Sequence, residues 1–376
     1  LGAKVKIRKN KCEIIGTGLN YKTKKNLKLN AGNSGTLGRL LLGLLVNSKD
    51  KIKLVGDQSL SKRDFSRVIE PLKKFGALFK SNKNKLPIII KGSNNLKSIN
   101  YVENKGSAQC KTSIMFAALK ANGITKIKAK KSRNHTELLF KNLSLPIKIK
   151  KKSNYDLIEV GKANKINSLN YKIPGDISSS AFFIVLTILS KNSKLIINNI
   201  NLNPSRIGII EILKKMGASI KLVNIRMYKN EKIGDIIIKS SKNLKAINCP
   251  TKYNSSAIDE FLIIFLVAAK SKGISTFKDL TELNQKESPR LIWGSKILNL
   301  MGIKTILTKD KIKIFGNPEI IIKKNIIIKD FLKDHRVFMM SVIAAHTFGG
   351  KWKISDLDSI KTSFPTFLKT LGQLKR

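Results

Sequence analysis

Asp259, Lys286, Glu287 and Arg290 fall within one short and otherwise apolar region, AINCPTKYNSSAIDEFLIIFLVAA followed by TELNQKESPRL. Two carboxylates and two cations in such surroundings have a definite chemical use. A carboxylate can exchange a proton with a reacting atom, and fixed cations hold anionic groups and stabilise departing negative charge. Four more segments have a similar character: Asn33-Ser34-Gly35-Thr36, Ser107-Ala108-Gln109, Ser132-Arg133-Asn134-His135 and Asp334-His335-Arg336.

Each segment also has a plainer reading. Asn33 to Arg39 leads into an apolar run through Leu45, and Gly106 to Lys111 leads into Ile114 to Leu119. Small residues at a helix start let an anion approach unpaired N–H groups, but they serve equally as ordinary caps. The first segment lacks the GxxxxGK[ST] spacing of a nucleotide P-loop. Asp259 precedes the most apolar stretch of the chain, where a carboxylate is either a helix cap or a base. In Lys286-Glu287-Ser288-Pro289-Arg290, Pro289 fits the first turn of a helix, with Ser288 as its expected cap. Ser61-Lys62-Arg63-Asp64 is read as the opening of another helix, and its arginine suits forked recognition of phosphate or carboxylate.

These residues need elements to position them, and a repeated phrase supplies the frame. An amphipathic helix closes on a bulky residue, a glycine and a small or β-branched residue, then gives way to a strand. The phrase occurs at Phe75-Gly76-Ala77, Met216-Gly217-Ala218 and Met301-Gly302-Ile303, and incompletely at Leu1-Gly2-Ala3. Glycine suits the left-handed residue that ends a helix, and 68–74 and 209–215 have helical spacing. Strands are expected over Leu86 to Lys91, Lys126 to Lys130, Ser193 to Ile197, Asp235 to Lys239 and Lys311 to Phe315. A period of roughly 70 residues or its double marks repeated α/β units. Pro174-Gly175 reads as a turn between two domains, residues 1–173 and 174–376.

Taken in order, the motifs resemble the enolpyruvyl transferases, and among them the branch that uses shikimate 3-phosphate. The resemblance implies an α/β fold of two domains, each of three βαβαββ units, with the active site in the cleft between them. It implies transfer of the enolpyruvyl group of phosphoenolpyruvate to the 5-hydroxyl of shikimate 3-phosphate, a step of aromatic amino acid synthesis. Phosphoenolpyruvate would meet Gly35, Arg63, Gln109, Arg290 and Arg336. Shikimate 3-phosphate would meet Ser107, Ala108, Gln109, Arg133, Asp259 and Lys286. Asp259, Glu287 and Lys286 would serve catalysis, with Glu287 exchanging a proton with the methylene carbon. His335 would orient its neighbours, and Glu260 would support Asp259. No metal or organic cofactor is required, and Gly35 is where the family comparison suggests sensitivity to glyphosate. Pro289 departs from the family pattern, which has Asp there. The role of a ligand-binding lysine near the C-terminal Lys361-Thr362-Ser363-Phe364-Pro365 is not transferred, because Lys361 stands one position away.

Composition limits the alternatives. With 376 residues, 42% of them hydrophobic, the chain can build two cored domains. Its longest apolar run, Phe261 to Ala269, is far below the roughly 20 residues of a membrane-spanning helix. Three cysteines, Cys12, Cys110 and Cys249, form no metal or disulfide pattern, and a reducing cytoplasm and a monomer are expected. The net charge of +49, from 73 basic and 24 acidic residues, invites a nucleic-acid reading. The lysines are scattered among Asn and Ile rather than gathered into a stripe, so a solvated surface that draws in phosphorylated substrates is preferred. Two rival readings are the UDP-N-acetylglucosamine enolpyruvyl transferase, which relies on a loop cysteine, and a basic nucleic-acid-binding repeat protein. The repeat period further implies that roughly 60 to 70 residues precede Leu1 in the family pattern. By the resemblance these include a Lys-Ser pair and an Arg that touch both ligands, so impaired turnover is expected of the 376 residues alone.

Overall fold

The structure, a computed structural model, describes residues 1–374. The chain divides into two compact units, Leu1–Tyr171 and Lys172–Arg376.

Unit 1 opens with the antiparallel hairpin β1 (Lys4–Arg8) and β2 (Lys11–Ile15). Next come β3 (Lys28–Asn30), α1 (Gly35–Leu44), β4 (Lys51–Val55), α2 (Gln58–Ser61), α3 (Ser66–Lys74), β5 (Leu78–Asn82) and β6 (Lys85–Lys91). The pattern then repeats with β7 (Asn100–Glu103), α4 (Ala108–Ala118), β8 (Thr125–Lys130), α5 (His135–Asn142), β9 (Ile147–Lys151) and β10 (Tyr155–Val160). The sheets run β3-β4-β6-β5 and β7-β8-β10-β9, each with one parallel pair followed by two antiparallel pairs. Two βαβαββ units of identical topology are therefore present, as the repeated phrase implies.

Unit 2 begins with α6 (Ile177–Leu189), β11 (Lys194–Asn201), α7 (Gly208–Lys215), β12 (Ser219–Tyr228) and β13 (Glu231–Lys239). It continues with α8 (Asn254–Ala257), α9 (Phe261–Ala269), β14 (Gly273–Phe277), α10 (Arg290–Leu300), β15 (Thr305–Leu307) and β16 (Ile312–Gly316). It closes with β17 (Ile322–Ile328), α11 (His335–Phe348), β18 (Gly349–Ile354) and α12 (Phe367–Gly372). Single parallel bridges, Gly175 to Ile200 and Asn248 to Thr276, stand where the first strand of each repeat belongs.

The five expected strands coincide with β6, β8, β11, β13 and β16, although Ser193 and Lys311 lie one residue ahead of β11 and β16. Gly76, Gly217 and Gly302 have φ of 106°, 88° and 91°, the left-handed conformation that the helix-ending phrase requires. Pro174-Gly175 is not a turn: Gly175 is extended, and its backbone pairs with Asn199 and Asn201. A side chain there would meet Ile200 Cδ1 at 2.5 Å, so glycine serves close strand approach instead.

Burial on the strands accounts for the dispersed lysines. In β8, Thr125, Ile127 and Ala129 point inward while Lys126, Lys128 and Lys130 point to solvent. In β4, Ile52 and Leu54 are buried between exposed Lys51 and Lys53. The period of two along a strand puts the charge on outer faces and leaves the helices to form the core. In unit 1, α1 and α4 pack closely, and Gly43 permits this because a Cβ would lie 2.2 Å from the Ser113 carbonyl oxygen. In unit 2, α6, α9 and α11 pack on one another, and α9 is buried along its whole length. Among the described residues, no helix is long and apolar enough to cross a membrane.

Candidate active site

The expected site residues gather into one cluster in each unit, both at the starts of core helices. In unit 1, Ser34 caps α1 by accepting from Leu37 N at 3.1 Å, and Ser107 caps α4 by accepting from Cys110 N at 3.2 Å. Gln109 joins the two helix starts: its Oε1 accepts from Arg39 Nη1 at 2.6 Å, and its Nε2 donates to Thr36 Oγ1 at 2.7 Å. Gly35 faces two guanidinium groups, and a Cβ on it would lie 3.1 Å from Arg39 Nη1 and 3.3 Å from Arg63 Nη1. Gly35, Ser107, Ala108 and Gln109 thus belong to the adjoining starts of these helices, and the Arg63 guanidinium reaches Gly35. Arg133 precedes α5, and its backbone carbonyl is held by Lys111 on α4.

Arg63 does not open a helix. It lies between α2 and α3, because Asp57 caps the short α2 through Leu60 N while Asp64 turns the chain through Ser66 N. Arg39 is the cation that the sequence reading passed over. It stacks over Phe65 at 5.2 Å from the ring centre, and burial together with Arg63 and Arg67 lowers its pKa. Its place one turn after Gly35, on the face of α1 toward α4, was the available signal. Arg39 and Arg63 beside Gly35, with Arg67 close enough to act on Arg39, make the region cationic and suited to an anion.

The unit 2 cluster is built on Asp334. This carboxylate is fully buried and caps α11 by accepting from Arg336 N at 2.9 Å. It also accepts from Ser288 N at 3.2 Å, Ser288 Oγ at 2.8 Å, Arg290 Nε at 2.9 Å and Arg290 Nη2 at 3.2 Å. Burial by itself raises a carboxyl pKa, but Arg290 and the hydrogen bonds outweigh it and hold Asp334 below the usual carboxylate range. Arg290 is also buried. Burial opposes its charge, and Asp334, Glu287 and Asp259 more than restore it, so its pKa is raised.

The other expected residues surround that pair. Arg290 Nη2 donates to Glu287 Oε2, and Arg290 Nη1 lies 3.4 Å from Asp259 Oδ1. Lys286 Nζ lies 3.5 Å from Asp259 Oδ1 and 3.2 Å from Glu282 Oε1. Arg336 Nη1 donates to the Asp259 carbonyl at 2.7 Å and lies 3.5 Å from Glu260 Oε1. Asp259, Lys286, Glu287, Arg290 and Arg336 are therefore brought together, and with Asp334 they make three cations against three carboxylates. Burial and then Arg336 push the His335 imidazole down to about 4, so it is neutral at pH 7. Ser288 does not cap α10, since its hydroxyl is committed to Asp334. Asn284 takes over that task, with its Oδ1 accepting from Leu291 N at 3.1 Å while Pro289 occupies the cap position.

At the start of α6, Asp176 accepts from Ser178 N and Ser179 N and pairs with Arg206 at 2.9 Å, and Arg206 also donates to Ser178 Oγ at 2.6 Å. Burial raises the Asp176 carboxyl, but Arg206 and these donors hold it below its ordinary range.

Two compact units built of βαβαββ repeats, with charged clusters at the helix starts, have the architecture of an enolpyruvyl transferase. The enolpyruvyl transferase NikO from Streptomyces tendae shares the fold, with a TM-score of 0.67 at 12% identity, over 89% of this chain and 75% of that one. The chain belongs to the EPSP synthase (3-phosphoshikimate 1-carboxyvinyltransferase) family, whose model matches residues 1–371. The EPSP synthase structure from Acinetobacter baumannii aligns with a TM-score of 0.86 at 34% identity, covering 99% of this chain and 84% of that one. The 3-phosphoshikimate 1-carboxyvinyltransferase of Endomicrobium trichonymphae is 38% identical over 379 residues, covering 100% of this chain and 86% of its own length. That of Ruthia magnifica is 39% identical over 379 residues, covering 100% and 84%.

Proposed function

We propose that the chain transfers the enolpyruvyl group of phosphoenolpyruvate to the 5-hydroxyl of shikimate 3-phosphate, releasing inorganic phosphate. The observation that carries this reading is the unit 2 cluster, where Asp259, Lys286, Glu287, Arg290 and Arg336 assemble around buried Asp334. It combines proton-transfer groups with fixed cations, the two requirements of the reaction.

The chemistry proceeds by addition and elimination. A proton added to the methylene of phosphoenolpyruvate leaves positive character on the adjacent carbon, and the substrate oxygen attacks it as the hydroxyl proton is removed. The resulting tetrahedral adduct loses a methyl proton and phosphate, restoring the double bond. Asp259 is the candidate base for the hydroxyl. Glu287, joined to Arg290, exchanges the proton at the methylene carbon. Glu287 gives a proton to the methylene in the first half and takes one back from the methyl in the second. Arg290 and Arg336, with Arg63 and Gln109 in unit 1, bind phosphoenolpyruvate; Lys286 binds shikimate 3-phosphate and, with the arginines, stabilises the departing phosphate. Ser107, Ala108 and Arg133 hold the phosphate of shikimate 3-phosphate. Preorganised cations of this kind need little rearrangement as charge develops, which is how such fields lower barriers.

The test supplies phosphoenolpyruvate with either shikimate 3-phosphate or UDP-N-acetylglucosamine and follows phosphate release and the mass of the product. It is run on the protein of these 376 residues. Release and an enolpyruvyl ether with shikimate 3-phosphate alone are expected. Product only with the nucleotide sugar overturns the proposal.

A further inference from the structure

Beside the unit 1 cluster lies a buried ion pair that the reaction scheme does not use. Lys111, one turn beyond Ser107 on α4, and Glu137, in the first turn of α5, are 1% and 2% exposed, with Nζ and Oε1 2.5 Å apart. Lys111 Nζ also donates to the backbone carbonyl of Arg133 at 3.1 Å. The neighbouring Thr112 and Thr136 hydroxyls are 2.6 Å apart, so α4 and α5 are tied twice at the same level.

Stability alone is a weak reason for such a pair. Removing two charges from water costs about as much as their attraction returns, and apolar replacements of similar volume are often neutral. Direction is what the pair supplies. An ammonium has three donors and no acceptor; Glu137 fixes where it sits, and one donor then fixes the Arg133 carbonyl. The pair adds no net charge, so it leaves the anion-attracting field of the cluster unchanged.

We propose that Lys111 and Glu137 form a positioning pair for Arg133. They set the backbone ahead of α5 in register with the start of α4, so that Arg133 and Ser107 address the same phosphate. This rests on the reading of Arg133 as a ligand of shikimate 3-phosphate. The pair touches no substrate and acts only through the arginine. Misplacing a binding group by about 1 Å can cost up to 10²-fold.

The experiment measures the calorimetric Kd for shikimate 3-phosphate, with kcat for phosphate release at saturating substrate. In the double variant Lys111→Met/Glu137→Leu, Kd is expected to rise about tenfold while kcat stays within about twofold, a split that general loosening of the fold does not give. Thr112→Val, which cuts the other tie, is expected to leave Kd within twofold. An unchanged Kd in a folded double variant overturns the proposal, as does an equal rise in Thr112→Val. If the double variant does not fold, Lys111→Arg decides. It keeps the pair but cannot place its planar fork on the same carbonyl, so a rise of threefold or more supports the proposal and an unchanged Kd rejects it. Failure of the underlying reading shows separately, because Arg133→Ala in the parent chain then leaves Kd unchanged.

Discussion

The two charged clusters are built on opposite plans. In unit 1, Arg39 is held by the neutral side chain of Gln109 and by the ring of Phe65, and lies close enough to Arg63 and Arg67 for their charges to lower its pKa. In unit 2, Arg290 is buried against Asp334 and faces Glu287 and Asp259 as well. Asp64 offsets part of the charge at Arg39, but arginines that face one another keep a positive field for an incoming anion. A cluster of paired charges holds its carboxylates in place against fixed cations, positioned to exchange protons. On the proposed reading, unit 1 holds the phosphate of shikimate 3-phosphate and contributes to phosphoenolpyruvate binding, while unit 2 adds further phosphoenolpyruvate contacts and carries the proton transfer.

Breaking the hub of unit 2 tests the contrast most severely. Asp334→Ala leaves Arg290 buried without its main partner and removes the cap of α11. A loss of about 3–5 kcal/mol for the broken pair is expected, with about 1 kcal/mol more for the cap. Denaturant unfolding followed by circular dichroism measures it. A loss below about 1 kcal/mol would contradict the role given to Asp334.

Glu287→Gln keeps shape and removes the base. Turnover should fall by about 10²–10⁴-fold, the usual worth of a positioned proton-transfer group, with the fold retained. Gly35→Ala sharpens the other side of the comparison. The added methyl points at the flexible ends of Arg39 and Arg63, so the protein folds. Half-saturation for phosphoenolpyruvate should rise severalfold, while the Kd for shikimate 3-phosphate is unchanged; steady-state kinetics and calorimetry separate the two.

The smallest expected effects concern His335 and Asn284. The folded pKa of His335, about 4, is below its unfolded value near 6.5. The unfolded chain therefore takes up a proton first on acidification, and stability falls from about pH 6.5 toward pH 4 and is flat above. In His335→Gln, the melting temperature should fall less than in the parent over that window. A parallel fall in both proteins would remove His335 as the cause. Asn284→Ala should cost about 1 kcal/mol, the usual value of a lost cap, by the same unfolding measurement.

Much of this was legible in the sequence. The phrase ending in Gly76, Gly217 and Gly302 locates helix ends because only a left-handed residue fits there, and the alternating lysines of β4 and β8 mark strands with one buried face. The motifs fall, in the structure, on two groups of helix starts, one in each unit. What escaped were partners set by long-range packing. Asp334 precedes a helix and reads as a simple cap, yet it also anchors Ser288 and Arg290, about 45 residues away in sequence. Asn284 gives no sign of capping a helix that begins at Arg290, because the need arises only once Ser288 turns toward Asp334. Arg39 looked like one cation among 73 basic residues, and only the packing of α1 on α4 brings it to Gln109.

The central claim is most directly tested by proton exchange. In D2O, with phosphoenolpyruvate and shikimate 3-phosphate, mass spectrometry follows deuterium entering the methylene of the enolpyruvyl product, for the protein, its Glu287→Gln variant and its Arg133→Ala variant. The account predicts incorporation in the parent, its near loss in Glu287→Gln at any substrate concentration, and its recovery in Arg133→Ala when shikimate 3-phosphate is raised. Incorporation in Glu287→Gln at the parent's rate would contradict the assignment of proton transfer to unit 2.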